Sequence, residues 1–338
     1  MKLSTLGEFG FIKRISPPFL KSLPKAVVGI GDDCAVIPWK EDSSLLVTTD
    51  MLIENVHFLR EKISPRDLGY KALAVNLSDI AAMGGKPSSA YLSIGIPSDI
   101  DVEWLDKFYA GMYELSESTG TFLLGGDMTR SPEHLVVNLA VIGEVHPMFA
   151  KYRSTAEPGD VLGVTGFLGD SGAGLQILRE DRLNDEDAVY LVQQHHRPRP
   201  HLNEGSWLAH RQAVHAMMDV SDGIDSDLHR IMDASHCGAI VHLESLPLSP
   251  QLRRTSSRYG WDVKEIAVAG GEDYCLLATI SAEQFPAISR EFERMFKRPL
   301  VNIGTIADGK NDLTYFDCGR EVGLQRRGFD HFSGEGKK

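Results

Sequence analysis

Aspartate recurs beside glycine, threonine or serine at the ends of apolar runs, and this pattern constrains the fold of the chain more than any other feature. It appears as GDD at 31–33, TTD at 48–50, NLSD at 76–79, GGD at 125–127, DVSDG at 219–223 and GGED at 270–273. Glycine accepts backbone conformations closed to other residues, and aspartate hydrogen-bonds to its own turn, so each segment taken alone reads as a turn. Recurring together, they imply strand and helix ends that gather acidic side chains in one place. Carboxylates ~4–6 Å apart in a partly buried site repel one another strongly unless cations stand between them. Oxygen-rich clusters select magnesium or manganese. Magnesium is usually held by one or two carboxylates together with substrate phosphates. The pattern therefore points to metal-dependent phosphoryl transfer, with a nucleoside triphosphate as the other half of the site.

The common nucleotide-binding schemes are missing. Gly29-Ile30-Gly31 follows an apolar run, but Cys34 stands where a dinucleotide fingerprint needs its third glycine. The sequence holds no G-x-x-x-x-G-K-[ST] loop and no H-R-D catalytic loop. His195 and His196 precede Arg197-Pro198-Arg199-Pro200, which reads as a helix exit and linker rather than a metal site.

The 338 residues exceed one typical domain, so two are expected. Short apolar runs at 26–30, 44–50 and 134–145 alternate with helical patterns at 65–83 and 101–118, giving a mixed α/β class. Ser64 before Pro65 is an N-cap signal, and Gly84-Gly85 a stop, which puts Asp79 near the end of that helix. Thr49-Asp50 is expected to end a strand, and Asp219 and Ser221 to share one strand face. A Pro-Gly-Asp turn and a new strand restart the pattern, so the domains are expected at 1–147 and 148–338. The second half reads as helices at 170–182, 186–195, 202–212 and 223–235, among strands near 215–219, 239–243, 273–280 and 300–306.

A formal net charge of −12 with no basic, aromatic-interleaved stripe disfavours nucleic acid and anionic membrane as partners. Four scattered cysteines, with no C-x-x-C, suggest reduced thiols. Charges in the N-terminal stretch and the lack of any long apolar run predict a cytoplasmic protein.

In order, GIGDDCAV, TTDMLIENVHF, SPRDLGYKALAVNLSDIAAMGGKP, LLGGDMTR, PGDVLGVTG, DVSDGIDSDL, AGGEDY and GFDHF resemble the motif series of the thiamine-monophosphate kinase family, from about residue 5 to residue 332. The resemblance implies a two-domain aminoimidazole-ribonucleotide-synthetase-like fold, with an N-terminal domain that pairs in a homodimer. It implies phosphorylation of thiamine monophosphate to thiamine diphosphate by ATP. By this resemblance Asp33, Thr48, Thr49, Asp50, Asp79, Asp127 and Asp219 are magnesium ligands, and Asp222 serves a further ion. Gly126, Asp127, Arg153, Ser221 and, less directly, Tyr109 meet ATP, while His57, Glu272 and Phe329 meet the thiamine compound. Asp50, Asp127, Arg153 and Asp219 carry catalysis. Outside the motif series, Arg153 reads as an ion pair, His57 as a structural histidine, Glu272 as a turn residue and Phe329 as packing. Met128, where the family favours threonine, and His229, where it favours glycine, are departures. A rival reading keeps the fold but makes the chain an ATP-dependent synthetase that activates an amide or carbonyl oxygen; a non-enzymatic nucleotide-binding regulator is a third.

Overall fold

The computed structural model describes residues 3–309 and 312–324. A first helix, α1 (Leu3–Lys21), precedes strands β1 (Ala35–Lys40) and β2 (Ser43–Ile53), helix α2 (Pro65–Ala82), strand β3 (Lys86–Ile96), helix α3 (Val102–Thr119) and strands β4 (Phe122–Arg130) and β5 (Val136–Val145). These strands form one sheet in the order β1-β2-β5-β3-β4, antiparallel except for the parallel β3–β4 pair. The other half contains β6 (Val161–Val164), α4 (Asp170–Arg179), α5 (Glu186–His196), α6 (Leu202–Ala209), β7 (Val214–Asp219), α7 (Ile224–Ser235), β8 (Gly238–His242), α8 (Pro250–Tyr259), α9 (Val263–Ala269), β9 (Leu276–Ile280), α10 (Phe285–Phe296), β10 (Val301–Ala307), β11 (Leu313–Asp317) and β12 (Arg320–Val322). Its seven strands run β12-β11-β8-β10-β6-β9-β7.

The two sheets are covered differently, and their sequences show why. In β2 the buried residues Leu46, Thr48 and Leu52 alternate with more exposed neighbours, as expected when one face is packed. In β7, Ala216 and Met218 enter one core while Val214 and Met217 enter another, so the seven-stranded sheet is covered on both faces. Strands β6 and β9 accordingly read as unbroken apolar runs, VLGV and LLATI, buried throughout.

Helix α2 joins the halves. The Ser64 side chain accepts a hydrogen bond from the Asp67 amide, Pro65 opens the helix, and Gly84 ends it at φ 72°. Its Leu68, Leu73, Leu77 and Ile80 pack under the first sheet, whereas Ala81 and Ala82 belong to the core made with α6, β7, β9 and α10. Helix α3 crosses α2 very closely: a Cβ on Gly69 would lie 1.8 Å from the Phe108 carbonyl oxygen, and one on Gly111 1.7 Å from that of Arg66.

The mixed α/β architecture is the expected one, and α2 and α3 fall within a residue of the expected 65–83 and 101–118. Several details differ. Residues 26–30 form only isolated bridges at Val28 and Ile30. Strand β2 does not end at Asp50 but continues to Ile53, because Met51–Ile53 still pair with β5. Strand β7 stops at Asp219, so Ser221 lies beyond it and the two do not share a strand face. His195 and His196 close α5, as a helix exit requires. Cys34, Cys237 and Cys275 are buried, Cys318 is exposed, and all four are free thiols.

The α2–α3 crossing leaves no room for a side chain, since its neighbours there are backbone atoms. Gly111→Val is expected to cost ~3 kcal/mol or more in urea unfolding; an unchanged midpoint would contradict the close crossing.

Candidate active site

Asp33, Asp79 and Asp219 each offer a carboxylate oxygen to one point, and these oxygens lie within 4.8 Å of one another. They arrive from three directions: the loop before β1, the last turn of α2 and the end of β7. Each is held by a neighbour. Ser78 donates to Asp219 Oδ2 at 2.7 Å, tying α2 to β7. The Thr48 hydroxyl donates to Asp79. The Arg153 guanidinium grips Asp33 with both arms, Nε at 3.2 Å and the terminal nitrogen at 2.6 Å. The backbone amide of Arg153 donates to Asp32 at 3.1 Å.

Asp50 reaches the same region from β2. Its amide donates to Asn76 Oδ1 on α2, and its carbonyl accepts from Asn138 on β5, each at 3.1 Å. The exposed Thr49 donates from its hydroxyl to the Leu139 carbonyl at 2.9 Å. Asp222, past β7, pairs with Arg230 of α7, which also donates to Asp227 at 2.9 Å. Asp227 in turn accepts the Ser221 and Asp222 amides at 3.1 and 3.3 Å, fixing that turn.

The electrostatics are those of concentrated acid with little counter-charge. Burial, reinforced by Asp33, raises Asp219 to about 8. Burial, with Asp222 and then Asp33, raises Asp50 to about 6. Asp79 is pushed well up by burial and by Asp50, Asp219 and Asp33. Asp32 rises to about 7 through burial and Asp33. Burial works against the Arg153 charge, but Asp33 and Asp32 outweigh it and raise its pKa. A pair of ionised carboxylates at this spacing repels by on the order of 3 kcal/mol at an effective dielectric of about 20. Converging hard oxygen donors with so little cationic side-chain charge fit magnesium or manganese.

Glu272 stands apart from this cluster, in a left-handed backbone conformation at φ 64°. Its amide donates to the Ser221 carbonyl at 2.7 Å. Its carboxylate lies 3.0 Å from Lys71 Nζ and 3.3 Å from His195 Nδ1. His57 is half-buried after β2, its Nδ1 accepting the Ile53 amide at 3.0 Å. Tyr109 is partly buried on α3, its ring edge-on to Phe108 at 5.6 Å. Phe329 lies outside the described residues.

Gly126 and Asp127 are placed differently from the expectation of turn residues. They lie inside β4, paired with Leu92 and Ser93 of β3, and a Cβ on Gly126 would sit 1.7 Å from the Leu92 carbonyl oxygen. Three strand spacings separate β4 from β2, ~14 Å along the sheet. Asp127 is in register with Met51 rather than Asp50, and so faces the opposite side of the sheet. Within one chain it does not join the Asp33–Asp79–Asp219 cluster. The sequence reading also passed over Asn76, Ser78 and Lys71. NLSD displays the first two beside Asp79, but nothing in a helical LGYKAL marks a lysine whose side chain is fully buried.

The AIR synthase related protein N-terminal domain matches residues 31–145 and its C-terminal domain residues 157–313. Over 333 residues the chain is 39% identical to thiamine-monophosphate kinase of Escherichia coli strain K12, covering 97% of this chain and 98% of that one. The chain belongs to the thiamine-monophosphate kinase family. The Bacillus subtilis member is 36% identical, with 97% and 100% covered. A solved structure described as AaThiL complexed with AMPPCP and TMP superposes with a TM-score of 0.85 at 33% identity, covering 98% of this chain and 99% of that one. The family's two-domain fold is thus the fold of this chain.

Because the raised carboxylates bind protons more tightly in the folded than in the unfolded chain, metal-free stability should fall as pH rises from about 4 through 8. Added Mg²⁺ should oppose that fall, most strongly at the alkaline end. Thermal unfolding at pH 5, 7 and 9 with EDTA or Mg²⁺ checks this; a Mg²⁺ effect that does not grow with pH would contradict it.

Proposed function

We propose that this chain transfers the γ-phosphoryl group of ATP to the phosphate of thiamine monophosphate, yielding thiamine diphosphate and ADP. The observation that carries this reading is the convergence of Asp33, Asp79 and Asp219 beside a forked Arg153, in a chain of this family. An oxygen of the acceptor phosphate forms the new bond to the γ-phosphorus as the bond to the β-phosphate oxygen breaks. That phosphate is largely dianionic at pH 7, its second pKa being ~6, so no general base is required. The difficulty is to bring two anions together, and the site is organised around charge.

A bound Mg²⁺ would supply positive charge against the phosphates. Asp33, Asp79 and Asp219 would hold it directly, with Asp50 and Thr48 of β2 alongside and Asp222 serving a further ion, whereas the Thr49 side chain lies on the opposite face of β2, the face that Asp127 shares, and is not placed at this cluster. Ser78, Asn76 and Arg230 keep these ligands in place. Arg153 offers a fixed fork to a phosphate oxygen, and its charge is secure at any working pH. Ser221 and Tyr109 complete the nucleotide's surroundings, while His57, Glu272 and Phe329 receive the thiamine body. An ATP-consuming enzyme of this kind belongs in the cytoplasm; among the described residues no helix is long and apolar enough to cross a membrane.

Gly126 and Asp127 enter this scheme through a second copy of the chain. Strand β4 is exposed along its whole length, with Phe122, Leu124 and Met128 each more than half exposed, and Met51 on β2 is likewise half exposed. An apolar sheet edge of this length invites pairing. A homodimer built on it buries these residues and brings Asp127 of one copy toward the β2 ligands of the other.

With ATP, Mg²⁺ and thiamine monophosphate the chain should form ADP and thiamine diphosphate, whereas thiamine, which lacks the phosphate nucleophile, should be inert. Asp50→Asn and Asp219→Asn should each lower kcat by at least a hundredfold; full turnover in either would overturn the ligand assignment. Phosphate release dependent on a nitrogen nucleophile, without thiamine diphosphate, would favour the synthetase reading instead. Light scattering should report a dimer, and Leu124→Glu should give an inactive monomer; an active monomer would contradict the shared site.

A further inference from the structure

Lys71 is a long, charged side chain with no solvent exposure. It sits on α2, and its ammonium lies 3.0 Å from Glu272 Oε1. The contact is an ion pair by distance. A buried ammonium is held in place only when an anion compensates it, and Glu272 is its one carboxylate partner among the described residues. The other Glu272 oxygen faces His195 Nδ1 at 3.3 Å, and Ser171 Oγ lies 3.0 Å from that same nitrogen. Burial and the Lys71 charge hold the His195 pKa well down, so this imidazole is neutral.

The backbone around Glu272 is equally restrained. Tyr274 N–H donates to the Val220 carbonyl at 2.9 Å, and Asp273 accepts the Gly169 and Ser171 amides at 2.6 and 3.2 Å. A Cβ on Gly271 would lie 2.5 Å from the Ser221 carbonyl oxygen. Glu272 thus occupies a strained, latched turn whose carboxylate lies against two buried side chains, Lys71 paired with it by charge, while about a fifth of its side chain stays accessible. A glutamate that only shaped a turn would need neither partner.

Helical periodicity then fixes where that carboxylate stands. Lys71, Ser78 and Asp79 are seven and eight residues apart, on one stripe of α2, so Lys71 lies ~10–12 Å along the helix from the metal-binding end. We propose that Lys71 is a positioning residue for the acceptor site: it holds Glu272 at a fixed distance from the Asp33–Asp79–Asp219 cluster and thereby sets where the body of the thiamine compound lies when its phosphate reaches the cluster. This rests on the proposed kinase reaction and on Glu272 meeting the acceptor. Lys71 touches neither substrate and acts through Glu272.

Steady-state kinetics of Lys71→Met, Lys71→Arg, Glu272→Gln and the Lys71→Met/Glu272→Gln double variant tests this. Lys71→Met should raise KM for thiamine monophosphate at least tenfold and leave KM for ATP within twofold, with Lys71→Arg recovering part of the loss. The double variant should be no worse than the poorer single one. A Lys71→Met enzyme with unchanged acceptor KM beside a defective Glu272→Gln, or with both KM values raised alike, overturns the role of Lys71 and leaves the reaction standing. An unaltered Glu272→Gln enzyme overturns the acceptor reading of Glu272 and this proposal with it. Should Lys71→Met fail to fold, the double variant, which removes both charges, replaces it: an acceptor KM equal to that of Glu272→Gln supports the proposal, and a higher one contradicts it.

Discussion

Asp33, Asp79 and Asp219 are pressed together against their own repulsion, and much of the surrounding structure serves to hold them there. Left in water, three such carboxylates would separate. Here one is fixed by Arg153, one by Thr48 and one by Ser78. Burial first, and the neighbouring carboxylates after it, raise the pKa values of Asp79 and Asp219, and a cation placed between them would favour their charged forms.

Helix α2 is the mechanical centre of this arrangement. Most of its length is buried, and it carries Lys71 toward Glu272, Asn76 toward Asp50, Ser78 toward Asp219, and Asp79 itself. Its sides are fixed by close glycine crossings: α3 at Gly69 and Gly111, and α6 at Gly205, where a Cβ would lie 2.1 Å from the Ala81 carbonyl oxygen. Packing and chemistry are therefore coupled. A shift of this helix would move ligands of the cluster and the anchor of Glu272 together. The two sheets are covered unequally: Asp219 ends a strand of the doubly covered sheet and is buried, while β4 of the other sheet is exposed along its length.

How much of this the sequence displays depends on the range of the interaction. Local signals read correctly: Ser64-Pro65 opens α2 and Gly84 closes it. Signals that depend on partners far along the chain do not. Residues 26–30 look like a strand but find no ladder, and Asp50 looks like a strand end although pairing with β5 carries β2 three residues further. GGD at 125–127 reads as a turn because glycine and aspartate disfavour strands, yet Gly126 is needed inside β4, where the Leu92 carbonyl leaves no space for a Cβ. Lys71 is the extreme case, since its burial depends on a glutamate 201 residues later in the chain.

The most direct measurement is diffraction from crystals grown with Mn²⁺, thiamine monophosphate and a non-hydrolysable ATP analogue, with anomalous data collected for manganese. The account predicts manganese bridging Asp33, Asp79 and Asp219, with nucleotide and acceptor phosphates completing its coordination. Both ligands bound, with no manganese in contact with any of these three carboxylates, would contradict it.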